Sequence, residues 1–342
     1  MIRFILAVLF LASPVTAHSF EEVAMPRHPL VIAHRGASGE RPEHTRAAYD
    51  LAIEQGADFI EPDLVMSKDG QLVVRHENEI GGTTNVADHP EFVDRRTTRT
   101  IDGVPTTGWF TEDFTLAELR TLRARERLPG LRPGNTAFTD ETILTFQEVI
   151  DIARTATVRT GRVIGVAPEL KHPSYFVGLG LPMEPPFIEA LRANDLMSAD
   201  SPVMVQCFEI DCLRSLNQQT DAPLLQLMSP SGGPADHPDM TYAAMATPEG
   251  LAGIAAYADA VGVETALILP RTPSGGAGTP TTLVEDAHAA GLEVVVWTFR
   301  AEDLFLPVDY RGDLPGWIRR FFDFDVDAVF SDFPGVAVQA RD

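Results

Sequence analysis

Eight short apolar runs, separated by segments with helical periodicity, restrict the fold of this chain more than any other feature. The runs predict strands over 30–34, 59–65, 162–170, 203–208, 223–227, 260–264, 293–298 and 328–331. Helices are predicted over 146–157, 184–194, 248–257, 281–290 and 316–322, and an earlier one begins after Thr45 and ends at Gly56. Regular alternation of strands and helices is typical of a parallel sheet, and eight repeats close into a (β/α)8 TIM barrel. The predicted fold class is therefore α/β.

The stretch 30–77 holds most of the polar side chains that could carry chemistry. The first strand ends at His34, and Arg35 follows it directly. On the second strand, Glu61 and Asp63 stand two residues apart, so both carboxylates lie on one face. Adjacent carboxylates repel one another unless a cation or solvent neutralises them, so this pair indicates a rim or a cation site.

A hairpin is predicted directly after the second strand. The dipeptide Asp69-Gly70 predicts a two-residue turn, and counting back from this turn pairs Asp63 with His76. The segment therefore brings together two imidazoles, one guanidinium and two carboxylates. This combination suits phosphoryl chemistry, because it offers an acid, a base, an anion clamp and oxygen ligands for a metal.

Further polar and aromatic side chains fall at or just beyond the predicted carboxyl ends of strands. The whole set is His34, Glu61, Asp63, Glu169, Lys171, Gln206 and Trp297. Active sites of TIM barrels lie at this rim, whereas random placement would scatter such residues. The sequence therefore predicts one site at the carboxyl rim of the barrel.

Nine short motifs, in this order and spacing, resemble the glycerophosphodiester phosphodiesterase family. They are HRG at 34–36, PEHT at 42–45, EPD at 61–63, SKDG at 67–70, HE at 76–77, PELK at 168–171, QCFE at 206–209, VVWTFR at 295–300 and SDFPG at 331–335. Each motif alone has little specificity, but the ordered set covers the chain from 30 to about 335. The longer 301–316 loop resembles the exported members of the family.

The resemblance implies an enzyme that hydrolyses glycerophosphodiesters, such as glycerophosphocholine or glycerophosphoethanolamine, to sn-glycerol 3-phosphate and an alcohol. It implies that His34 and His76 are the catalytic acid and base. The glycerol 2-hydroxyl would attack phosphorus first, and water would then open the cyclic phosphate.

The same resemblance implies a metal site and a substrate-binding set. Glu61, Asp63 and Glu169 would hold one divalent cation, with Ca2+ favoured and Mg2+ the alternative, because all three offer hard oxygen ligands. The substrate-binding and phosphate-binding residues would be Arg35, Lys171, Gln206, Phe208 and Trp297. A carboxylate cluster paired only with Arg35 and Lys171, without a metal, stays open as an alternative.

The sequence departs from the usual pattern of the family at three positions. His44 stands where the family usually has Asn, Glu77 where Asp is commoner, and Cys207 where Ser is usual. His44 matters most, because another imidazole beside Glu43 could alter the metal geometry. Cys207 and Cys212 are too few to make a disulfide framework, and whether they pair stays open.

Two segments interrupt the barrel pattern. Residues 78–143 are polar and rich in Thr and predict an insertion after the second strand, with a helix that begins after Thr115. This insertion would be either a lid that shapes alcohol selectivity or a packing subdomain. The glycine-rich segment 271–280 is interpreted as a flexible connection rather than a phosphate cradle.

Residues 1–17 resemble a secretory signal peptide, with Arg3 before an apolar run and small residues at 15–17. We therefore expect an exported protein, periplasmic or secreted, whose mature part at 18–342 is a single barrel domain. No other apolar run approaches the length of a membrane span. The formal net charge of −22 disfavours nucleic acid and anionic membranes as partners. The partner that the resemblance implies is a small-molecule glycerophosphodiester.

Two other functions stay open at this point. One is a phospholipase D-like phosphodiesterase of the same barrel class that acts on lysolipids, which would need an exposed apolar rim. The other is a non-catalytic surface barrel that only binds ligands. Such a protein would be expected to have lost a histidine or a metal ligand, and both histidines and all three carboxylates are present.

Overall fold

The structure is a computed structural model that describes residues 29–342. The predicted signal peptide at 1–17 lies outside the described residues and stays a prediction. The strands are β1 Leu30–Ala33, β2 Phe59–Ile60, β3 Asp63–Met66, β4 Leu72–Val74, β5 Thr97–Ile101, β6 Val104–Gly108, β7 Gly165–Val166, β8 Glu169–Leu170, β9 Val205–Cys207, β10 Leu224–Met228, β11 Ala260–Glu264, β12 Glu293–Phe299 and β13 Ala328–Ser331.

Helices separate most of these strands. The α-helices are α1 Arg46–Glu54, α2 Leu116–Leu119, α3 Phe146–Thr160, α4 Pro173–Gly178, α5 Glu184–Ala193, α6 Ile210–Asn217, α7 Tyr242–Met245, α8 Pro248–Ile254, α9 Thr265–Ile268, α10 Leu283–Ala289, α11 Leu314–Phe322 and α12 Pro334–Arg341. Short 3-10 helices cover Val86–Asp88, Pro90–Arg95, Thr111–Asp113, Pro133–Ala137 and Val308–Tyr310. Among the described residues, no helix is long and apolar enough to cross a membrane.

The sheet is a closed barrel of eight parallel strands, as the sequence predicts. β1 pairs in parallel with both β13 and β2, and the remaining pairs run in order from β8 through β9 to β13. The second barrel strand consists of β2 and β3, and the third consists of β7 and β8. Since β2 pairs with β7 and β3 pairs with β8, the two halves of each strand stay in register and the barrel closes.

Each of these two strands is interrupted at a proline, Pro62 or Pro168. Proline has no N–H to donate to the ladder, so the regular pairing breaks there. The flanking amides keep the barrel closed, because Glu61 donates its N–H to the Ala33 carbonyl and Glu169 donates to the Pro62 carbonyl. The predicted strand 59–65 is thus two short strands, and the break lies beside Glu61.

The predicted register of the first hairpin is wrong by one residue. β4 pairs with β3 so that Leu64 lies opposite Val74, and the Arg75 amide donates to the Asp63 carbonyl. Arg75 and not His76 is therefore level with Asp63. The turn contains three residues rather than two, because the Ser67 amide bonds to the Gln71 carbonyl and Gly70 takes φ +75°.

The barrel interior holds its own apolar cluster, distinct from the layer between the strands and the helices. Side chains that point inward include Ile32, Phe59, Leu225, Val295 and Phe330, and all are buried. This cluster fills the barrel, as is usual in this fold, so the polar residues gather only above it at the carboxyl rim. The interior cluster therefore forms the floor of the candidate site.

The segment 78–143 packs on the barrel as well as covering one side of its mouth. Phe92, Phe114 and Leu122 of this segment are buried and belong to the same apolar cluster as the outer layer of the barrel. β5 and β6 form an antiparallel hairpin within it. The predicted helix after Thr115 is only the short α2, although it carries a complete capping box between Thr115 and Glu118.

Candidate active site

A cavity of about 550 Å³ opens at the carboxyl ends of the barrel strands. Of the ten side chains predicted from sequence, nine line this cavity: His34, Arg35, Glu61, His76, Glu169, Lys171, Gln206, Phe208 and Trp297. The tenth, Asp63, is fully buried beside two of them. The structure thus brings the whole predicted set to one place.

Three carboxylates form the most buried part of the site. Glu61, Asp63 and Glu169 each offer an oxygen within 4.8 Å of the others, and all three side chains are buried. The pairing of β3 with β8 places Asp63 directly opposite Glu169. Burial raises the pKa of Glu169 to about 8, although Lys171 acts in the opposite direction. Burial and then the neighbouring Asp63 raise the pKa of Glu61 well above its usual value.

Asp63 differs from the other two carboxylates in its charge state. Burial, the largest single influence, would raise its pKa, but Lys171, His76 and His44 together hold it well below its usual value. Its Oδ2 atom lies 2.8 Å from Nε2 of His44, the imidazole at the position where Asn is usual. Nδ1 of His44 in turn lies 2.9 Å from the Tyr49 hydroxyl, so His44 is fixed at both ring nitrogens.

These carboxylates fit a divalent cation. Oδ1 of Asp63 is buried and, among the described residues, accepts no hydrogen bond. Burial, and to a smaller extent the neighbouring Asp63, raises the pKa of both Glu61 and Glu169, so a cation beside them would favour their ionised forms. Three hard oxygen donors suit Ca2+ or Mg2+. The site can therefore hold one divalent cation.

Two basic side chains flank the carboxylates and line the cavity. Nζ of Lys171 lies 2.8 Å from Oε1 of Glu169 and 3.6 Å from Oδ1 of Asp63. Asp63 and Glu169 together raise the pKa of Lys171 although its burial alone would lower it, so the ammonium stays charged. Arg35 reaches Glu43 at 3.0 Å and Asp63 at 3.4 Å. These cations can bind the oxygens of a phosphate that enters the cavity.

His34 follows β1, and a carboxylate from the far end of the chain orients it. Nδ1 of His34 lies 2.6 Å from Oδ1 of Asp332, which follows β13. Oδ2 of Asp332 accepts hydrogen bonds from Arg132 at 2.5 Å and Arg300 at 3.0 Å. Burial, followed by Arg35, lowers the pKa of His34 to about 4 even though Asp332 favours the charged form. The imidazole is thus neutral near pH 7 and donates from Nδ1, which leaves Nε2 as a base.

His76 has a corresponding carboxylate partner. Its Nδ1 atom lies 2.5 Å from Oε1 of Glu77. Burial, and then Arg35 and Lys171, lower the pKa of His76 to about 3. The residue is one position beyond the predicted register, yet it still lines the cavity with His34. Two neutral imidazoles, each held through Nδ1, therefore face one space.

Several polar residues of the site escaped the sequence analysis. The motif SDFPG was recognised, but no role was assigned to Asp332 within it. Arg127, in the insertion, binds Glu43 and Glu77 with two hydrogen bonds each, at 2.6 to 2.8 Å. Nothing in the local sequence around Arg127 distinguishes it from the other arginines of the insertion.

Aromatic residues line another part of the cavity. The ring of Phe208 contacts Trp297 edge-on at 5.8 Å and Tyr242 at 6.1 Å between centroids. Trp297 donates from Nε1 to the Gly262 carbonyl, which fixes the indole. Gln206 donates to the Ala167 carbonyl at 2.8 Å and is buried beneath the cavity wall.

The two cysteines are free thiols and both are buried. Cys207 donates from Sγ to the Leu170 carbonyl, and burial raises the pKa of its thiol. A buried protonated thiol is a poor nucleophile. Segment 271–280 contributes no residue to the described lining of the cavity, and its Thr272 and Gly276 amides are bonded within the loop.

The barrel and the chemistry at its rim define a class of protein, the TIM-barrel phosphodiesterases. Residues 34–336 match the Glycerophosphoryl diester phosphodiesterase family. The chain belongs to this family, and it is a glycerophosphodiester phosphodiesterase, a phosphoric diester hydrolase of class EC 3.1.4.46.

Relatives with the same printed name match the chain over most of its length, and a solved structure shares its fold. A glycerophosphodiester phosphodiesterase of Arabidopsis thaliana is 36% identical over 335 residues, which are 93% of this chain and 87% of the relative. That of Haemophilus influenzae is 27% identical, over 92% and 90% of the two chains. The structure of an Oleispira antarctica phosphodiesterase in complex with the product sn-glycerol-3-phosphate has a TM-score of 0.61 at 21% identity, over 92% and 96% of the chains.

Proposed function

We propose that this enzyme hydrolyses glycerophosphodiesters of the deacylated phospholipid type, such as glycerophosphocholine and glycerophosphoethanolamine, to sn-glycerol 3-phosphate and an alcohol. The observation that carries this proposal is the pair of neutral imidazoles, His34 and His76, facing one cavity beside a carboxylate cluster. The product bound by the Oleispira antarctica phosphodiesterase supports the choice of product.

In this proposal the chain binds and orients the phosphodiester through its charged residues. Glu61, Asp63 and Glu169 would hold one divalent cation, Ca2+ or Mg2+, which when bound supplies Lewis-acid stabilisation of a phosphoryl oxygen. Arg35 and Lys171 bind the remaining phosphate oxygens. Since both basic groups are buried, their attraction for the phosphate is screened less than at a surface.

The two histidines move the protons. One neutral imidazole accepts the proton of the attacking glycerol 2-hydroxyl, and oxygen forms a bond to phosphorus as the bond to the departing alcohol breaks. The other imidazole, protonated once the anionic diester lies beside it, gives its proton to the leaving oxygen. Water then opens the cyclic phosphate with the two roles exchanged. Asp332 and Glu77 keep each ring in the orientation that this exchange needs.

A coupled assay for release of glycerol 3-phosphate tests the proposal. We expect His34→Ala and His76→Ala to lower kcat on the order of 10²- to 10⁴-fold, the usual contribution of a general acid or base. His288→Ala is the matched control, because His288 also pairs with an aspartate, Asp327, but does not line the cavity. Turnover that survives both active-site substitutions would refute the assignment.

Two further experiments test the metal requirement and the substrate class separately. Exhaustive chelation with EDTA should abolish turnover, and Ca2+ or Mg2+ should restore it. Choline release, measured in place of glycerol 3-phosphate, tests the lysolipid alternative, and faster release from lysophosphatidylcholine than from glycerophosphocholine would replace the proposed substrate class.

A further inference from the structure

One part of the cavity carries carboxylates that the phosphate chemistry does not use. Asp102 and Glu209 line it together with Phe208, Tyr242 and Trp297. We call these five residues the headgroup wall. Asp102 also lines an adjoining surface groove of about 510 Å³, so the wall leads from the cavity towards the outside. A substrate group that projects from the phosphate past Phe208 would meet this wall.

The insertion delivers Asp102 to the wall. Asp102 and Gly103 form the two-residue turn of the β5–β6 hairpin, in which Ile101 pairs with Val104. Both turn residues have positive φ, 47° and 81°, which is the backbone that matches the twist of a tight hairpin. The turn is fixed from the barrel side, because Oδ2 of Asp102 lies 2.6 Å from Nδ1 of His172.

Glu209 has an unused charge-binding oxygen. Its Oε2 atom accepts a hydrogen bond from the Ser174 amide at 2.9 Å, but Oε1 is buried and has no partner in the described chain. Only 4% of the residue is exposed. Burial raises the pKa of Glu209 to about 7, Asp236 and Asp102 act in the same direction, and the Ser174 hydrogen bonds oppose them. An ammonium group next to Glu209 would give this unpartnered oxygen a charged partner.

Asp236 strengthens the negative field behind the wall. Its side chain is 7% exposed, and Oδ1 is buried without a hydrogen bond while Oδ2 accepts from the Asp211 amide. Within residues 29–342, none of Asp102, Glu209 and Asp236 has a lysine or arginine within 4.0 Å; only imidazole nitrogens come that close, that of His172 to Asp102 and that of His237 to Asp236. Three carboxylates thus lack a strong counter-ion on this side, whereas Arg35 and Lys171 serve the phosphate side.

We propose that the headgroup wall binds a cationic ammonium group on the leaving alcohol, so that the enzyme selects cationic glycerophosphodiesters over neutral ones. This inference rests on the proposed function and names the substrate class within it. Aromatic faces attract ammonium ions, and partly desolvated carboxylates add to that attraction. A neutral alcohol such as glycerol or inositol gains neither contribution. The same wall disfavours an alcohol that carries a negative charge.

The test compares kcat/KM for glycerophosphocholine, whose headgroup is cationic, and glycerophosphoglycerol, whose headgroup is neutral. We expect the wild-type enzyme to prefer the cationic substrate by about tenfold, the size of a cation–aromatic contact with partial desolvation. Glu209→Gln keeps the shape of the side chain and its bond to the Ser174 amide, and it should reduce the preference by about threefold or more. Asp102→Asn, in the turn of the β5–β6 hairpin, should reduce the preference by a similar factor.

A matched control is Glu189→Gln, which removes one exposed carboxylate from α5 and should leave the preference ratio at the wild-type value. A wild-type ratio near one, or a ratio that neither Glu209→Gln nor Asp102→Asn changes, would overturn the headgroup proposal and leave the proposed function intact. No turnover of either substrate by the wild-type enzyme would instead overturn the proposed function, and the headgroup proposal with it.

Discussion

At the scale of single residues, burial and a neighbouring carboxylate act in opposite directions on the pKa of a histidine in the site. Burial and neighbouring cations lower the pKa of His34 to about 4, while the Asp332 carboxylate at 2.6 Å favours the charged form. The lowering wins because desolvation of an imidazolium inside a protein costs more than one hydrogen bond returns. Asp332 therefore orients the imidazole of His34 but does not keep it protonated near pH 7.

Replacing Asp332 tests this positioning role. Asp332→Asn keeps the size of the side chain but can donate to Nδ1 and so favour the wrong tautomer. We expect kcat to fall on the order of 10²- to 10⁴-fold with a much smaller change in KM, as when an orienting carboxylate is lost from a histidine base. Steady-state kinetics over pH 5–9 measure kcat and KM of the variant and of the wild type. Asp327→Asn, which also pairs with a histidine, is the control.

The lowered pKa of His34 also predicts how the stability of the folded protein depends on pH. In the unfolded chain His34 titrates near 6.5, but in the folded protein its pKa is about 4, so the unfolded state binds more protons between these values. Stability is therefore full above pH 6.5 and is lost as the pH falls towards 4. We expect the wild type to lose about 2 kcal/mol more than His34→Gln between pH 7 and pH 5. Urea unfolding in EDTA at both pH values measures this difference, and equal losses would contradict the assigned environment.

At the scale of elements, the insertion is held to the barrel by buried ionic contacts. Arg127 joins Glu43 of the β1–α1 loop to Glu77 beyond β4, and Arg132 joins Asp332 to Glu302. These contacts link the insertion to both carboxylates that orient the histidines. The insertion thus packs its aromatic residues on the barrel and also contacts the carboxylates beside both histidines.

Removing Arg127 should lower the stability of the folded protein. Arg127→Met leaves Glu43, which is buried, with Arg35 as its remaining ion-pair partner. We expect a loss of about 2–4 kcal/mol in the free energy of unfolding, because a buried carboxylate loses a bidentate partner. Guanidinium unfolding measures the loss.

Arg120→Met is the matched control for that experiment. Arg120 pairs with Glu148 on the surface, where half of its side chain is exposed, and should contribute less than about 1 kcal/mol. Equal effects of the two substitutions would show that the Arg127 contacts do not anchor the insertion.

At the scale of the whole molecule, closure of the barrel brings together acidic groups that repel one another. Glu61 and Asp63 come from the second barrel strand and Glu169 from the third. The chain carries a formal net charge of −22, so no general positive field offsets this cluster. Arg35 and Lys171 offset this charge locally, and a divalent cation held by the three carboxylates would offset it further.

Metal binding should therefore stabilise the folded protein. At Ca2+ concentrations about 100 times the dissociation constant, we expect about 2.7 kcal/mol of added stability, because the unfolded chain has no preformed site. Thermal unfolding with Ca2+ and with EDTA measures the gain. Glu169→Gln should remove most of it, and a Ca2+ effect of the same size in that variant would place the ion elsewhere.

The sequence by itself determined the barrel and the rim position of the chemistry. Apolar runs report burial of whole strands, and the order of the motifs around His34, Glu61 and Glu169 places each at a strand end. These are local properties, because side chains two residues apart share a face of a strand whatever the rest of the chain does. The fold class and the family follow from such patterns.

Only the tertiary structure decided which partners these residues have. His34 and Asp332 are 298 residues apart, and Arg127 is 84 residues from Glu43. Their pairing depends on how the barrel closes and how the insertion folds back, which local periodicity does not encode. The hairpin register failed for a related reason, since one residue more in the turn shifts every pair. Asp102 reached the headgroup wall through that same long-range folding of the insertion.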